Sequence, residues 1–306
     1  MVLKHMLCLE LLKYIEEGVN LPLFFINMKT CISTVIKNEH EYIEEFIQYH
    51  LNLGVDYIFL FEDIDSNSHK DIVSKYHNVK LISIIDTYSV KERDNILFIK
   101  NVGIWKMQKR YIRSCLRYIK DNYDFDWCFV IDCDEYITLE DKTKTLSEVM
   151  AMFNDYEAIV IDWENYGNNN IIFKPDYTNK GLIDTYTKIA GNQKGERPMA
   201  KTKCAYNMNL YNYEDAKNLH IEEDYSMKWC RTDFSQDIPK ATYKNIYLRH
   251  YITKSWEEYV WKVYVRGMFY TGHRKYDTFF EINEDMIPRK DELMGYVDTI
   301  LKKYQT

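Results

Sequence analysis

The chain has 306 residues, 46% hydrophobic and 28% charged, which is enough apolar material for a sizeable core and excludes a disordered polymer. With 47 acidic against 40 basic side chains the net charge is −7, so general attraction to nucleic acid is excluded and any polyanionic ligand must be met locally. The seven cysteines show no C-x-x-C spacing and read as reduced thiols of a cytoplasmic protein.

Residues 1–27 read as an amphipathic helical extension (Leu7, Leu11, Leu12, Ile15) with a turn from Gly18 to Pro22, and Met28 is a candidate natural start. The early apolar stretch Leu21–Ile26 is too short to cross a bilayer. Aromatic residues make up 15% of the chain, which leaves peripheral association with the inner membrane face open.

From Thr30 onward strands and helices alternate. Cys31 to Ile36 is a β-branched, apolar strand, and Glu41 to Leu53 is a helix whose inner face carries Ile43, Phe46, Ile47, His50 and Leu51, closed by Gly54. Val55 to Phe61 is the next strand, Ser68 to His77 a helix, Val79 to Ile85 a strand, Asp94 to Asn122 a long helical region, and Trp127 to Ile131 a fourth strand. This alternation predicts an α/β fold with a mainly parallel sheet flanked by helices. Beyond it, Thr145 to Phe153 reads as a helix with a Thr145/Glu148 capping box and Ala158 to Trp163 as a strand. Tyr166 to Lys203 reads as a loop-bearing region, Asn245 to Tyr251 as a strand, and Ser255 to Tyr270 as a helix with Glu258 at its third position. The expected organisation is a binding half over 28–140 and a second half over 141–306 that completes the same globule with C-terminal helices.

Ligands of such sheets bind beyond the carboxyl ends of the strands. Those ends are Lys37-Asn38-Glu39, Glu62-Asp63, Asp86 and Asp132-Cys-Asp134-Glu135. In an extended chain Asp132 and Asp134 point to one side, so both can approach a hard cation, Mn²⁺ or Mg²⁺, shared with substrate phosphates. The bland alternative is a pair of solvated acids opening a turn.

At this point the chain resembles the glycosyltransferases of families 2 and 92, whose bacterial relatives occur in surface-polysaccharide synthesis. The matching segments are Val35-Ile-Lys-Asn-Glu39, Glu44 to Ile58, Gln108 with Cys115, Asp126 to Glu135, Trp163 to Gly167, and His250 to Tyr259 leading to Lys262 and Arg266. The resemblance implies a GT-A (Rossmann-like) fold, a nucleotide-sugar donor, UDP-linked by preference, a glycan or glycolipid acceptor, and Mn²⁺ or Mg²⁺. It places Lys37, Asn38, Glu39 and Glu62 at the nucleotide, with Gln108 also on the donor side. Phe61-Glu-Asp-Ile-Asp-Ser-Asn-Ser departs from the usual Asp-Asn-x-Ser-x-Asp of such enzymes and leaves the base open.

His250, ending an apolar strand just before a helix, is the preferred third metal ligand or diphosphate contact, with His220 its rival. Lys254, Lys262 and Arg266 lend positive charge there. An inverting transfer needs a carboxylate to take the acceptor proton, and Glu164 and Asp224 are the candidates, with Glu222 and Glu223 beside the latter. Trp163, Tyr166, Trp229, Trp256 and Trp261 are candidate sugar platforms or, more ordinarily, packing residues. Two rival readings remain: a haloacid-dehalogenase-like phosphatase, which also sets D-x-D after a strand, and a non-catalytic carbohydrate-binding protein.

Overall fold

The computed structural model describes residues 27–63, 66–88, 104–190, 202–210, 240–241, 245–264 and 276–304, with side chains described over all of these except 104–111, 202–203 and 240–241. The expected N-terminal helix lies outside the described residues.

Strand β1 (Thr30–Ile36) runs through the middle of the first half, flanked in parallel by β2 (Tyr57–Glu62) and β4 (Trp127–Val130), with β3 (Val79–Ser83) beyond β2. Such strands are covered on both faces, which is why they read as unbroken apolar runs. One face is packed by α1 (Ile43–Leu53), which buries Ile43, Phe46, Ile47 and His50, as the helical spacing predicts. Gly54 closes it at φ 102°, its N–H reaching the carbonyls of His50 and Leu51. The expected helix over Ser68 to His77 shrinks to the single turn α2 (Lys70–Val73), because so short a segment cannot sustain a helix by itself. Helix α3 (Ile104–Asn122) covers the opposite face and buries Cys115, Leu116 and Ile119 against Cys31, Phe59 and Phe61.

The second half departs from simple alternation. A strand absent from the sequence reading, β5 (Glu135–Leu139), follows the acidic motif at once. Helix α4 (Leu146–Ala151) then begins at the predicted Thr145/Glu148 capping box, and β6 (Ala158–Asn165) runs on two residues past its expected end. Within the region expected to be loop-bearing lie α5 (Leu182–Thr185) and the start of β7 (Thr202–Asn207), followed by the two-residue β8 (Lys240–Ala241). Strand β9 (Ile246–His250) leads into α6 (Trp256–Tyr264). The strand order is β3-β2-β1-β4-β7-β6-β9-β5, with β8 also against β6. β7 is antiparallel to β4 and β6, and β5 is antiparallel to β9, so the sheet is mixed. The first part of β6 pairs with β7 and its end, Trp163–Asn165, pairs with β9, so one strand serves both sheets.

Helices α7 (Asp277–Ile282), α8 (Lys290–Gly295) and α9 (Val297–Lys303) pack around Trp256, whose indole N–H donates to the Leu293 carbonyl. Among the described residues no helix is long and apolar enough to cross a membrane. Cys31, Cys115, Cys128 and Cys133 are free thiols, whereas Cys204 on β7 is disulfide-bonded, a departure from the expectation of reduced cysteines.

His50 fastens α1 to β5. Its Nδ1–H donates to the Phe46 carbonyl at 2.8 Å and its Nε2 accepts the Ile137 N–H at 3.2 Å, so the ring is neutral. Burial pushes its pKa from 6.5 to about 3, only partly offset by the Phe46 carbonyl. Below pH 6.5 the unfolded chain therefore takes up a proton that the folded one refuses until about pH 3, and stability falls as pH drops through that window. Between pH 7 and pH 5 this group alone is expected to remove about 2 kcal/mol. Urea unfolding of wild type and His50→Gln at both pH values checks it, since equal pH slopes in the two proteins would contradict the assignment.

Candidate functional site

At the carboxyl ends of β1 and β2 the side chains interlock. Lys37 Nζ lies 3.0 Å from Asp63. Asn38 sits in left-handed backbone at φ 55°, tolerable for Asn, its Oδ1 accepting the Asn67 N–H at 2.8 Å while its own N–H donates to Ser66 Oγ at 3.1 Å. The Glu39 N–H donates to His69 Nε2 at 3.0 Å, and His69 Nδ1 is 2.7 Å from Glu62 Oε1, which also accepts the His69 N–H at 2.9 Å. His69 is fully buried, with His40 stacked on it at 3.9 Å between ring centres. The four predicted residues Lys37, Asn38, Glu39 and Glu62 are thus gathered at adjoining strand ends, bridged by a histidine that sequence reasoning did not single out.

The acidic motif forms a turn, which corrects the expectation of an extended chain. The Glu135 N–H donates to the Asp132 carbonyl at 3.0 Å, and Glu135 Oε2 accepts the Asp132 N–H at 2.7 Å. This reciprocal pair makes Glu135 the clamp of the turn, so the same-side argument for a strand does not apply to Asp132 and Asp134. Asp134 is held at its backbone by the Tyr251 N–H (2.9 Å) and keeps 13% side-chain exposure. Its Oδ2 lies 2.9 Å from Lys262 Nζ and 3.5 Å from Lys254 Nζ, and its Oδ1 is 4.0 Å from His250 Nε2. Burial pushes this carboxyl upward, but Lys262, Lys254 and His250 together outweigh it and hold the group well below the usual carboxylate range.

His250, at the end of β9, is oriented from β6. Its Nδ1 lies 3.0 Å from Asn165 Oδ1, a carbonyl oxygen that only accepts, so Nδ1 carries a proton, and Nε2 faces Asp134 Oδ1 at 4.0 Å and Glu135 Oε1 at 3.9 Å. Trp163 packs on the imidazole at 4.1 Å. Trp163 and Asn165 share one face of β6 because side chains alternate along a strand. Glu164 therefore points to the other face, where it accepts the Tyr166 hydroxyl at 2.9 Å and stands across from Arg249. The structure does not bring this candidate base to Asp134.

Lys254 also adopts left-handed backbone, at φ 49°, and its ammonium lies over the Tyr42 ring at 4.5 Å. That contact joins the β1–α1 connection to the acidic turn. Gln108 falls on α3 in the stretch whose side chains are not described, and Asp224, Glu222, Glu223, His220, Trp229 and Arg266 lie outside the described residues. Of the candidate platforms, Trp256 is core, Trp163 packs on the His250 ring, and Tyr166 reaches His250 through its backbone N–H, which donates to the His250 carbonyl at 2.9 Å. Asn165 and Trp163 carried one legible signal, their two-residue spacing on a strand end; His69 carried none.

Among the described residues no group of three or more His, Cys, Asp or Glu side chains is arranged to hold a metal. Mg²⁺ and Mn²⁺ commonly take only one or two protein ligands and complete their shell with phosphate oxygens and water. Here Asp134 Oδ1 and His250 Nε2 lie 4.0 Å apart, and Asp134 Oδ2 is paired with Lys262 and Lys254.

Residues 27–306 match glycosyltransferase family 92. No curated protein matches the chain. Solved structures similar to it include the 4-diphosphocytidyl-2C-methyl-D-erythritol synthase of Anaerococcus prevotii, at 10% identity over 72% of this chain and 91% of that one, with a TM-score of 0.38. HddC of Yersinia pseudotuberculosis is 12% identical over 73% of this chain and 93% of its own, with a TM-score of 0.38. The glucosyl-3-phosphoglycerate synthase of Mycobacterium tuberculosis, solved with Mn²⁺, UDP and phosphoglyceric acid, is 12% identical over 62% of this chain and 61% of its own, with a TM-score of 0.34.

Proposed function

The chain belongs to glycosyltransferase family 92, and from that premise we propose that it moves a sugar from a nucleotide-diphosphate sugar, UDP-linked by preference, to a hydroxyl of a glycan or glycolipid, as in surface-polysaccharide synthesis, with Mn²⁺ or Mg²⁺ assisting. Membership sets aside the phosphatase and the purely sugar-binding readings. One observation supports the finer reading: a carboxylate, an imidazole and two ammonium groups meet at Asp134, at the strand end where such sheets bind a nucleotide diphosphate.

Asp134 and His250 would hold the cation, with Asp132 beside them. When bound, that ion supplies Lewis-acid stabilisation of the departing diphosphate. The chain's own part is positioning and charge. Lys254 and Lys262 place positive charge where the leaving group gains negative charge. Asn165 and Trp163 keep the imidazole in one orientation. Lys37, Asn38, Glu39 and Glu62 border the nucleotide. Of the candidate bases Glu164 faces away, which leaves Asp224 and its neighbours to receive the acceptor proton.

A panel of nucleotide sugars with Mn²⁺ present tests the reading. One donor should raise the melting temperature by mass action and release its nucleoside diphosphate. A panel spanning UDP-, GDP-, dTDP- and CMP-sugars in which nothing stabilises or turns over would sink it.

A further inference from the structure

Strands β1 and β2 leave the sheet side by side, Ile36 opposite Glu62, and the Asp63 N–H still donates to the Ile36 carbonyl at 3.0 Å. Beyond that point side chains hold the two loops together, with His69 in the middle. The Glu39 backbone N–H can only donate, so His69 Nε2 is unprotonated and Nδ1 carries the proton. The Nδ1–H therefore donates to Glu62 Oε1 at 2.7 Å, and the His69 backbone N–H donates to the same oxygen at 2.9 Å. Both bonds fall on Oε1. Among the described residues Oε2 accepts nothing, and the Glu62 side chain keeps 16% exposure at the strand end. A fully buried imidazole, stacked on His40 and bonded at both nitrogens, has no room to swing, so it fixes the direction of that carboxylate.

We infer that His69 is a positioning residue for the nucleotide: it holds Glu62 with Oε1 turned inward and Oε2 turned to the ligand, where that oxygen accepts a hydrogen bond from an N–H or O–H of the nucleoside. Glu62 ends the second strand of a parallel sheet, and in doubly wound nucleotide-binding sheets an acid in this position addresses the nucleoside rather than its phosphates. His69 touches no ligand itself and acts through Glu62. A carboxylate offers no donor, so a ligand presenting only acceptors at this point is turned away. The inference rests on the donor reading above and adds to it the atom that faces the nucleoside and the group that keeps it there.

The test is calorimetry of UDP and of GDP on the full chain with Mg²⁺ present, the tighter nucleotide being carried forward. Glu62→Gln should weaken its binding about tenfold, the scale of one hydrogen bond to a charged acceptor. His69→Phe, which keeps a ring against His40 and loses both hydrogen bonds, should weaken it about as much, and adding it to Glu62→Gln should cost nothing further, because both changes break one link. His69→Asn, whose amide N–H stands in for the Nδ1–H, should restore binding to within about threefold of wild type. Additive losses, or a folded His69→Phe chain that binds as wild type does, overturn the inference. The 2′-deoxy and base-N-methylated forms of the nucleotide name the partner: the one lacking the group that Glu62 reads should bind wild type about tenfold more weakly than its parent, and Glu62→Gln no more weakly. Should no His69 variant fold, this comparison decides, and analogues that both bind wild type as tightly as the parent overturn the inference. Binding of neither UDP nor GDP by wild type also overturns it, and the wider donor panel then judges the transferase separately. Sugar transfer with unchanged nucleotide affinity in the His69 and Glu62 variants removes this inference and leaves the transferase standing.

Discussion

Asp134→Ala is expected to lower sugar transfer by roughly a thousandfold or more, the scale seen when a preorganised electrostatic group is removed from a reacting centre. Three groups lose their common anchor at once, because Lys262, Lys254 and His250 all face this carboxylate. Alanine also leaves two largely buried ammonium groups uncompensated, at a cost of about 3 kcal/mol, moderated by their residual exposure. Asp134→Asn keeps the shape and a neutral oxygen, so it should lose as much activity with a smaller drop in stability. Nucleoside diphosphate release with Mn²⁺ present reads the first effect and circular-dichroism melting the second. Activity within tenfold of wild type in a folded Asp134→Ala chain would contradict the placement of the site.

Glu258→Ala is expected to be the most damaging of the stability variants. This buried carboxylate accepts the Ser255 hydroxyl at 2.6 Å and N–H at 3.1 Å, the Tyr177 hydroxyl at 2.8 Å, the Tyr186 hydroxyl at 3.0 Å, and the hydroxyl of Tyr42. Burial first and the Glu258 charge second push the Tyr42 and Tyr177 pKa values far up, so both hydroxyls stay protonated and donate. The acid thereby ties together the β1–α1 connection, the loop between β6 and β7, and the first turn of α6. Alanine removes the shared acceptor of four hydroxyls and the predicted capping box, a loss of about 3–5 kcal/mol. A fall in melting temperature of roughly 10 °C is the expected reading for a chain of this size. Tyr42→Phe, which removes one donor, should cost about 1 kcal/mol. A Glu258→Ala chain that melts within about 2 °C of wild type would show that the hub carries no such weight.

The parallel half was legible because its signals are local. Strand β1 is an unbroken apolar run, α1 shows a helical apolar face, and Gly54 marks its end. The capping boxes at Thr145 and Ser255 were read for the same reason. β5 and β7 were not, because their partners are far away in the chain: Glu135 pairs with His250, and Trp127 with Asn207. Local pattern carries no trace of such pairing, and the apolar run after Asp134 gave no hint that the chain reverses into a second sheet. At the site, residue types and strand ends identified Asp134, His250 and Lys254 as neighbours. The turn at Asp132–Glu135 and the outward side of Glu164 were not legible, since both depend on a hydrogen-bond register fixed only in three dimensions.

Strand β6 has a consequence of its own, because it threads both sheets while presenting Trp163 and Asn165 to the imidazole. Dropping one residue between 158 and 162 would bring Glu164 and Tyr166 to those two places. His250 would then lose both the Asn165 oxygen that its Nδ1 meets and the Trp163 ring that packs on it. This part of the chain can change its letters one at a time, but it cannot change its length.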